Sequence, residues 1–154
     1  MRIWILLFGS LLLFSCGPAP APEPVKNDIP GLEGSWTIKM IHSGGIMGVI
    51  RSIEVTADGK FTVQDERSGQ TRQGRLSEQE LDELNSLVAS IQHFQISKSS
   101  GCADCFIYDL EISGDSGRIS VRLDDISLGE SGFEPLITNL RSILDRELIQ
   151  QNNK

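Results

Sequence analysis

The sequence contains few of the residues that bind metals or perform nucleophilic catalysis. There are two histidines and three cysteines among 154 residues. A zinc site at Cys102 and Cys105 would need two further ligands at suitable spacing, whereas His42 and His93 are not paired in sequence. Neither histidine lies in a recognisable motif that pairs it with a serine or cysteine nucleophile. We therefore expect no metal, no cofactor and no enzymatic activity.

Positive charge is also scarce. Fourteen basic residues stand against 21 acidic ones, for a formal net charge of −7. Loss of Arg2 with the leader described below would leave 13 basic and 21 acidic residues, a net charge of −8. An acidic surface argues against nucleic acid or anionic lipid as a partner, because like charges repel.

No apolar run is long enough to span a membrane. The N-terminal run follows Arg2 and ends at Phe14, short of the roughly 20 residues that a spanning helix needs. A charged start, an apolar middle and a small residue at the end indicate a signal peptide at 1–15. The sequence Leu-Phe-Ser-Cys at 13–16 resembles a bacterial lipobox and predicts that Cys16 is lipidated. An ordinary signal peptide that ends near a cysteine is the alternative.

Proline is concentrated in the segment that follows Cys16. Four prolines alternate with other residues between Pro18 and Pro24, a pattern that favours extended polyproline II. We interpret 16–30 as a lipidated cysteine with a stiff spacer, and 31–154 as one domain. The expected location is the cell envelope, with a lipid anchor in a bacterial membrane and the domain outside the cytoplasm.

The remaining cysteines, Cys102 and Cys105, directly precede an alternating segment at 106–112. A thioredoxin-type pair would instead stand at the start of a helix, whose dipole lowers the thiol pKa. An exported compartment permits disulfides, so we predict a structural Cys102–Cys105 disulfide. A reduced or redox-active pair and half of a metal site remain as alternatives.

The hydrophobic pattern predicts an α+β domain in the order β-β-β-α-β-β-α. Hairpins imply an antiparallel sheet of about five strands, with two amphipathic helices on one face. The polar segment 67–75 is interpreted as a loop or a short edge strand. The predicted elements are strands near 35–42, 49–56, 61–63, 106–112 and 118–123, a helix from about 78 to 91 and a second helix that ends near 149.

Two capping boxes define the expected helix starts. Ser77 with Glu80 precedes the first helix and Ser131 with Glu134 the second, in which Pro135 occupies the first turn.

The pair Asp124-Asp125 is interpreted as a solvated strand end rather than a metal site. The sequence Gly-Asp-Ser-Gly at 114–117 resembles a protease nucleophile motif, but its composition is that of a turn.

The segment Ser43-Gly44-Gly45-Ile46-Met47-Gly48 combines three glycines with two large apolar side chains. One interpretation is that Ile46 and Met47 turn inward and join the core. The other is that they point outward on a constrained loop and insert into a groove of a partner. Constrained loops suit inhibitors, since less ordering is needed on binding.

Three stretches resemble emfourin-type proteins, which inhibit thermolysin-like metalloproteases such as protealysin. They are IHSGGIMGVIRSIEV (41–55), LSEQELDELNSLV (76–88) and the region from YDLEI (108–112) to ISVRLDD (119–125), and the resemblance covers roughly 38–148. It implies a non-enzymatic inhibitor that occupies the protease active-site cleft, whose preference for large apolar side chains suits Ile46 and Met47. The predicted contact residues are Ser43, Gly44, Gly45, Ile46, Met47, Gly48 and Arg51.

The sequence thus predicts a lipid-anchored inhibitor of a thermolysin-like metalloprotease, with a protein partner and no nucleic acid. A binding module of the cell envelope without inhibitory activity is the second hypothesis. A thiol-redox lipoprotein is the third, and it requires an accessible, easily reduced Cys102–Cys105 bond.

Overall fold

The computed structural model describes Leu32, residues 34–91, Phe94 and residues 101–149. The predictions for the signal peptide at 1–15, for Cys16 and the spacer at 16–30, and for His93 fall outside these residues. None of the helices in the described ranges is long and apolar enough to cross a membrane.

The described residues form an α+β fold with one antiparallel sheet, which confirms the predicted class. The sheet has six strands rather than about five, in the order β4-β3-β2-β1-β5-β6. The additional strand is β4, in the polar segment that the sequence left between a loop and an edge strand. The strands are β1 (Trp36–Gly44), β2 (Val49–Thr56), β3 (Lys60–Asp65), β4 (Gln70–Arg75), β5 (Phe106–Gly114) and β6 (Gly117–Asp124).

Three helices complete the described domain: α1 (Glu78–Ser90), α2 (Asp125–Leu128) and α3 (Glu134–Ile149). Helix α3 contacts the first four strands, and α1 packs beside α3. The buried side chains on β1 and β5 alternate with more exposed ones, as a sheet covered on one face requires. The core therefore lies between the helices and one face of the sheet, which we call the covered face; the other is the open face.

The cap of α1 confirms the first predicted capping box. The Ser77 side chain accepts the Glu80 N–H at 3.3 Å, and the Glu80 carboxylate accepts the Ser77 N–H at 2.8 Å. The backbone hydrogen bond from Ser77 and the contact with Arg146 hold the pKa of Glu80 below its usual value. The helix consequently begins where the local sequence specifies.

Two predictions were wrong, and the first concerns the N-cap of α3. The helix α3 begins at Glu134, and the hydroxyl of Ser131 accepts the N–H of Phe133 and donates to the carbonyl of Leu128, so Ser131 is not its N-cap. Pro135 does occupy the first turn of α3.

The second correction concerns the acidic pair, which is not a solvated strand end. Asp124 is buried and caps α2 by accepting the N–H groups of Ile126 and Ser127. The next residue, Asp125, accepts the N–H of Phe106 at 2.8 Å. Both carboxylates therefore make internal hydrogen bonds.

The register places four segments at one end of the sheet, which we call the tip end. Gly44 is paired with both Val49 and Phe106, and Ile107 is paired with Asp124. The β1–β2 connection, the start of β5 and the short helix α2 therefore lie together. The β3–β4 turn is at the same end, because Arg51 near the start of β2 is paired with Asp65 at the end of β3.

Candidate interaction site at the tip of the β1–β2 hairpin

The β1–β2 hairpin closes through the four residues 45–48, which we call the hairpin tip. The N–H of Gly48 donates to the carbonyl of Gly45 at 2.9 Å, so the tip is a β-turn with Ile46 and Met47 at its two central positions. The flanking glycines have φ of 67° and 57°, a region that other residues rarely adopt. The glycines thus define the turn, and the two apolar residues occupy its corners.

Ile46 and Met47 point into solvent. Their side chains are 90% and 72% exposed, the two highest values among the large apolar residues of the described ranges. This geometry excludes the interpretation in which both residues join the core. Two adjacent exposed side chains of this size form an apolar protrusion, which is a feature of binding surfaces more than of free surface loops.

A contact with the cysteine segment holds one side of the hairpin tip. The N–H of Gly45 donates to the carbonyl oxygen of Cys105 at 3.1 Å. The approach requires glycine at position 44, since a Cβ there would lie 2.5 Å from the same oxygen. A Cβ on Gly45 would lie 2.6 Å from the ring of Phe106. Both glycines are therefore needed for close packing as well as for the turn.

The β3–β4 turn holds the other side. The guanidinium of Arg67 donates to the carbonyl oxygen of Met47. The N–H of Glu66 donates to the carbonyl of Ile50 at 3.0 Å, which fixes the β3–β4 turn beside the start of β2. The tip is thus in contact with neighbouring segments of the chain on both sides, and these contacts constrain its conformation.

Cys102 and Cys105 form a pair at disulfide distance, with their Sγ atoms 2.01 Å apart. The pair precedes β5, as the sequence indicated, and it closes a loop at 102–105 that we call the disulfide loop. Both cysteines are half-buried, and Ala103 and Asp104 between them are exposed. The disulfide loop therefore lies at the surface of the tip end.

The open face carries three isoleucines beside the hairpin tip that the sequence analysis did not single out. Ser43 on β1 is paired with Ile50 on one side and with Ile107 on the other, and Ile41 lies two residues before Ser43 on β1. Ile50 is 39% exposed, and the other two are half-buried. The alternation along each strand could have identified them, because it places them on the face of the sheet opposite to the core residues of the same strands.

Arg51, a predicted contact residue, is bound within the domain. Its Nε lies 3.0 Å from Asp65 and its Nη1 lies 3.2 Å from Asp145, so it links β2 to β3 and to α3. Burial opposes ionisation of Asp65, but hydrogen bonds from the Ser68 N–H and from Arg51 outweigh it, and the pKa of Asp65 is lowered. The cation is thus already paired.

An aromatic cluster lies on the covered face of the sheet at the tip end. His42 on β1 lies between the rings of Phe106 and Tyr108, with centroid distances of 4.7 and 5.2 Å. Neither of its ring nitrogens has a hydrogen-bond partner. Burial, together with the charge of Arg141, lowers the pKa of His42, so the ring is neutral near pH 7.

Tyr108 extends this cluster toward the helices. Its hydroxyl donates to Asp125 at 2.9 Å and accepts from Arg141 at 3.1 Å, and the guanidinium of Arg141 also lies 5.6 Å from the ring centroid. Burial and the hydrogen bond to Asp125 raise the pKa of Tyr108 to about 12. The hydroxyl therefore remains protonated and acts as a structural link.

In the described ranges, no cluster of three or more histidine, cysteine or acidic side chains is arranged to hold a metal ion. What the tip end offers is apolar surface on a preformed turn, which suits docking with another macromolecule. Comparison with known proteins adds no assignment, because no family model and no curated protein matches the chain.

Proposed function

We propose that this protein is a non-enzymatic inhibitor of a thermolysin-like metalloprotease and that the hairpin tip binds in the active-site cleft of the enzyme. Ile46 and Met47 are the apolar anchors in this proposal. The observation that carries it is the high exposure of both side chains on a turn that is constrained by its neighbours. The resemblance to emfourin-type proteins names the class of enzyme.

The fixed turn favours tight binding. A flexible loop loses conformational freedom when it docks, and each ordered side chain costs roughly 0.5–1.5 kcal/mol. The contacts of Gly45 with Cys105 and of Met47 with Arg67 limit this cost, because they constrain the backbone of the tip before binding.

The remaining predicted contact residues have supporting roles in this proposal. Gly44, Gly45 and Gly48 shape the turn, and Ser43 lies between the isoleucines of the open face. Arg51 fixes β2 through its carboxylate partners and makes no primary contact with the enzyme. The isoleucines at 41, 50 and 107 extend the apolar contact area onto the open face.

The lipid anchor is part of the same proposal. Acylation of Cys16 and the proline-rich spacer would hold the domain away from a bacterial membrane, outside the cytoplasm, where it would meet exported proteases. Metabolic labelling with a radioactive or clickable fatty acid tests this part, with Cys16→Ser as the control that should lose the label.

The direct test is titration of thermolysin and of protealysin with residues 27–154, followed by hydrolysis of a small peptide substrate. Inhibition at or below micromolar concentration, with the inhibitor intact by mass spectrometry afterwards, supports the proposal. Cleavage between Ile46 and Met47 would indicate a substrate instead. No inhibition of either enzyme would contradict the assignment and favour the second hypothesis, a binding module of the cell envelope, for which pull-down from membranes should recover a partner that is not a peptidase.

A further inference from the structure

We propose that the disulfide loop is a redox-sensitive support of the hairpin tip, so that reduction of the Cys102–Cys105 bond weakens binding of the partner. The proposal rests on the proposed function, because it concerns the regulation of the same site. It differs from the thiol-redox hypothesis, since the cysteines here act on the shape of a binding surface and not on a redox substrate.

The first argument is the direct contact between the hairpin tip and the disulfide loop. The carbonyl oxygen that accepts the Gly45 N–H belongs to Cys105 itself. The same oxygen approaches Gly44 so closely that a Cβ would not fit. The position of the tip therefore depends on where the Cys105 carbonyl lies.

The second argument is the position of Cys105 relative to the sheet. Strand β5 begins one residue later, at Phe106, which is paired with Gly44 and whose N–H is bound by Asp125. The rest of β5 is thus held by its own hydrogen bonds, whereas the peptide unit that joins the Cys105 carbonyl to the Phe106 N–H is held by Asp125 on one side and by the disulfide loop on the other. Cys105 lies just outside the strand, and its bond to Cys102, with Cα atoms 5.6 Å apart, closes the loop that contains it. Reduction should consequently release the disulfide loop without unfolding β5.

The third argument is access. Both cysteines are half-buried, whereas Gly101, Ala103 and Asp104 are exposed. A dithiol reductant can therefore approach the bond from solvent. Its thiolate attacks one cysteine sulfur and breaks the Cys102–Cys105 bond, and its second thiol then resolves the mixed disulfide. Two electrons and two protons pass to the cysteines, which become thiols, and the reductant leaves as its own disulfide.

The experiment compares oxidised, reduced and reoxidised full-length protein, purified in detergent. Mass spectrometry of the tryptic peptide 99–118 establishes whether Cys102 and Cys105 are oxidised or reduced, because the disulfide form of the peptide is two hydrogens lighter. The reductant is removed under argon before the assay, since dithiols bind the zinc of the protease. We expect inhibition to weaken about tenfold on reduction, the effect of re-ordering one or two side chains on binding, and to return on reoxidation.

A second measurement does not depend on the protease. Amide hydrogen exchange at Gly45 should accelerate on reduction. Exchange at Ala57 should not change, because its N–H donates to the carbonyl oxygen of Trp36 at the opposite end of the sheet. Equal exchange at Gly45 in both states would overturn the proposal, as would equal inhibition by both states. Absence of inhibition by the oxidised protein, combined with the exchange difference, would refute the proposed function and leave the structural coupling standing.

Variants separate the bond from the contact. Cys102→Ser combined with Cys105→Ser should behave as the reduced protein does. Gly44→Ala should weaken inhibition about tenfold with the disulfide intact, because its Cβ displaces the Cys105 carbonyl. Gly59→Ala is the matched control: its φ is also positive, at 77°, but it lies in the β2–β3 turn and its Cβ would make only an ordinary contact, at 3.5 Å. Equal losses in the two glycine variants would overturn the proposal.

Discussion

The hydroxyl of Tyr108 donates a 2.9 Å hydrogen bond to the carboxylate of Asp125. The same oxygen accepts from Arg141 at 3.1 Å, so one buried side chain on β5 links α2 and α3. Asp125 also accepts the N–H of Phe106, the residue that begins β5 beside the hairpin tip. This group of contacts fixes the tip end of the sheet to the helices.

Replacement of Tyr108 by Phe should therefore destabilise the domain. The change removes the hydroxyl but keeps the ring, and the loss of a partly buried hydrogen bond to a charged group corresponds to about 1.5–3 kcal/mol in the free energy of unfolding. Urea denaturation followed by circular dichroism measures the change. The control is Ser113→Ala on the same strand, whose hydroxyl makes only a 3.4 Å contact with Thr37. A loss no larger than that of the control would contradict the structural role of the hydroxyl.

The stability of the domain should fall as the pH falls through the range just below 6.5. Burial and Arg141 lower the pKa of His42 in the folded protein, so the unfolded chain binds a proton more readily in this range. The free energy of unfolding is therefore highest above about pH 6.5, the pKa of the histidine in the unfolded chain. Below that pH it decreases by at most about 1.4 kcal/mol per pH unit. Urea denaturation at half-unit steps from pH 5 to pH 8 tests this.

The variant His42→Phe serves as the comparison for this pH effect. It keeps an aromatic ring between Phe106 and Tyr108 but cannot be protonated. Its free energy of unfolding should depend less on pH between 5 and 6.5 than that of the unchanged protein. The lowered pKa values of Asp65 and Glu80 affect stability only at lower pH, where those carboxylates take up protons. Identical slopes for the two proteins would show that His42 is not the group responsible.

Replacement of both Ile46 and Met47 by Ser should weaken inhibition strongly and leave stability unchanged. Burial of a large apolar side chain contributes about 1.5–3 kcal/mol, so the loss of two should raise the inhibition constant about a hundredfold or more. The free energy of unfolding should stay within about 0.5 kcal/mol, because both side chains are already exposed. The control is Ile126→Ser, a residue that is 64% exposed on α2, at the same end of the sheet but outside the hairpin tip. Equal loss of inhibition in the control would contradict a role specific to the tip.

Replacement of Arg67 by Ala should weaken inhibition several-fold, to a smaller extent than loss of the apolar anchors. The guanidinium donates to the Met47 carbonyl, so its removal leaves the tip less ordered in the free protein. Stability should change little, since Arg67 is exposed. Arg118→Ala is a suitable control, because Arg118 is also an exposed arginine but pairs with Glu111 on the open face. Unchanged inhibition in the Arg67 variant would show that this contact does not order the tip.

Ile50 allows a test of how far the binding surface extends. Ile50→Ser should weaken inhibition about tenfold if the partner also covers the open face next to the tip. Glu54→Ser, on the same face of β2 but further from the tip, should have no effect. If both variants inhibit as the unchanged protein does, the contact is confined to the hairpin tip.

The sequence specified those features that depend on neighbouring residues. The Ser77–Glu80 box lies within four residues, and it located the start of α1 correctly. Alternation of apolar and polar residues located five of the six strands for the same reason, but not β4, whose segment is polar throughout. It did not locate α2, since a helix of four residues has no recognisable period, and Asp124 and Asp125 have the composition of an exposed strand end.

The orientation of Ile46 and Met47 could not be decided from their own segment. An apolar pair between glycines fits a core loop as well as an exposed turn. The deciding factor is the pairing of Gly44 with Val49, which leaves only four residues beyond the end of the sheet. The supports of the tip come from Cys105 and Arg67, which are distant in sequence, and no local pattern near the glycines indicates them.

The outermost strands have a consequence for association between copies of the protein. Strands β4 and β6 end the sheet on either side, and they carry arginines at exposed positions: Arg75 on β4, and Arg118 and Arg122 on β6. Unpaired strand edges tend to recruit another chain, and cations along an edge oppose this. A sheet continuing from one copy into the next would bring guanidinium groups close together. The edge strands thus carry charged residues that oppose edge-to-edge association, while the apolar residues of the domain are presented at its tip.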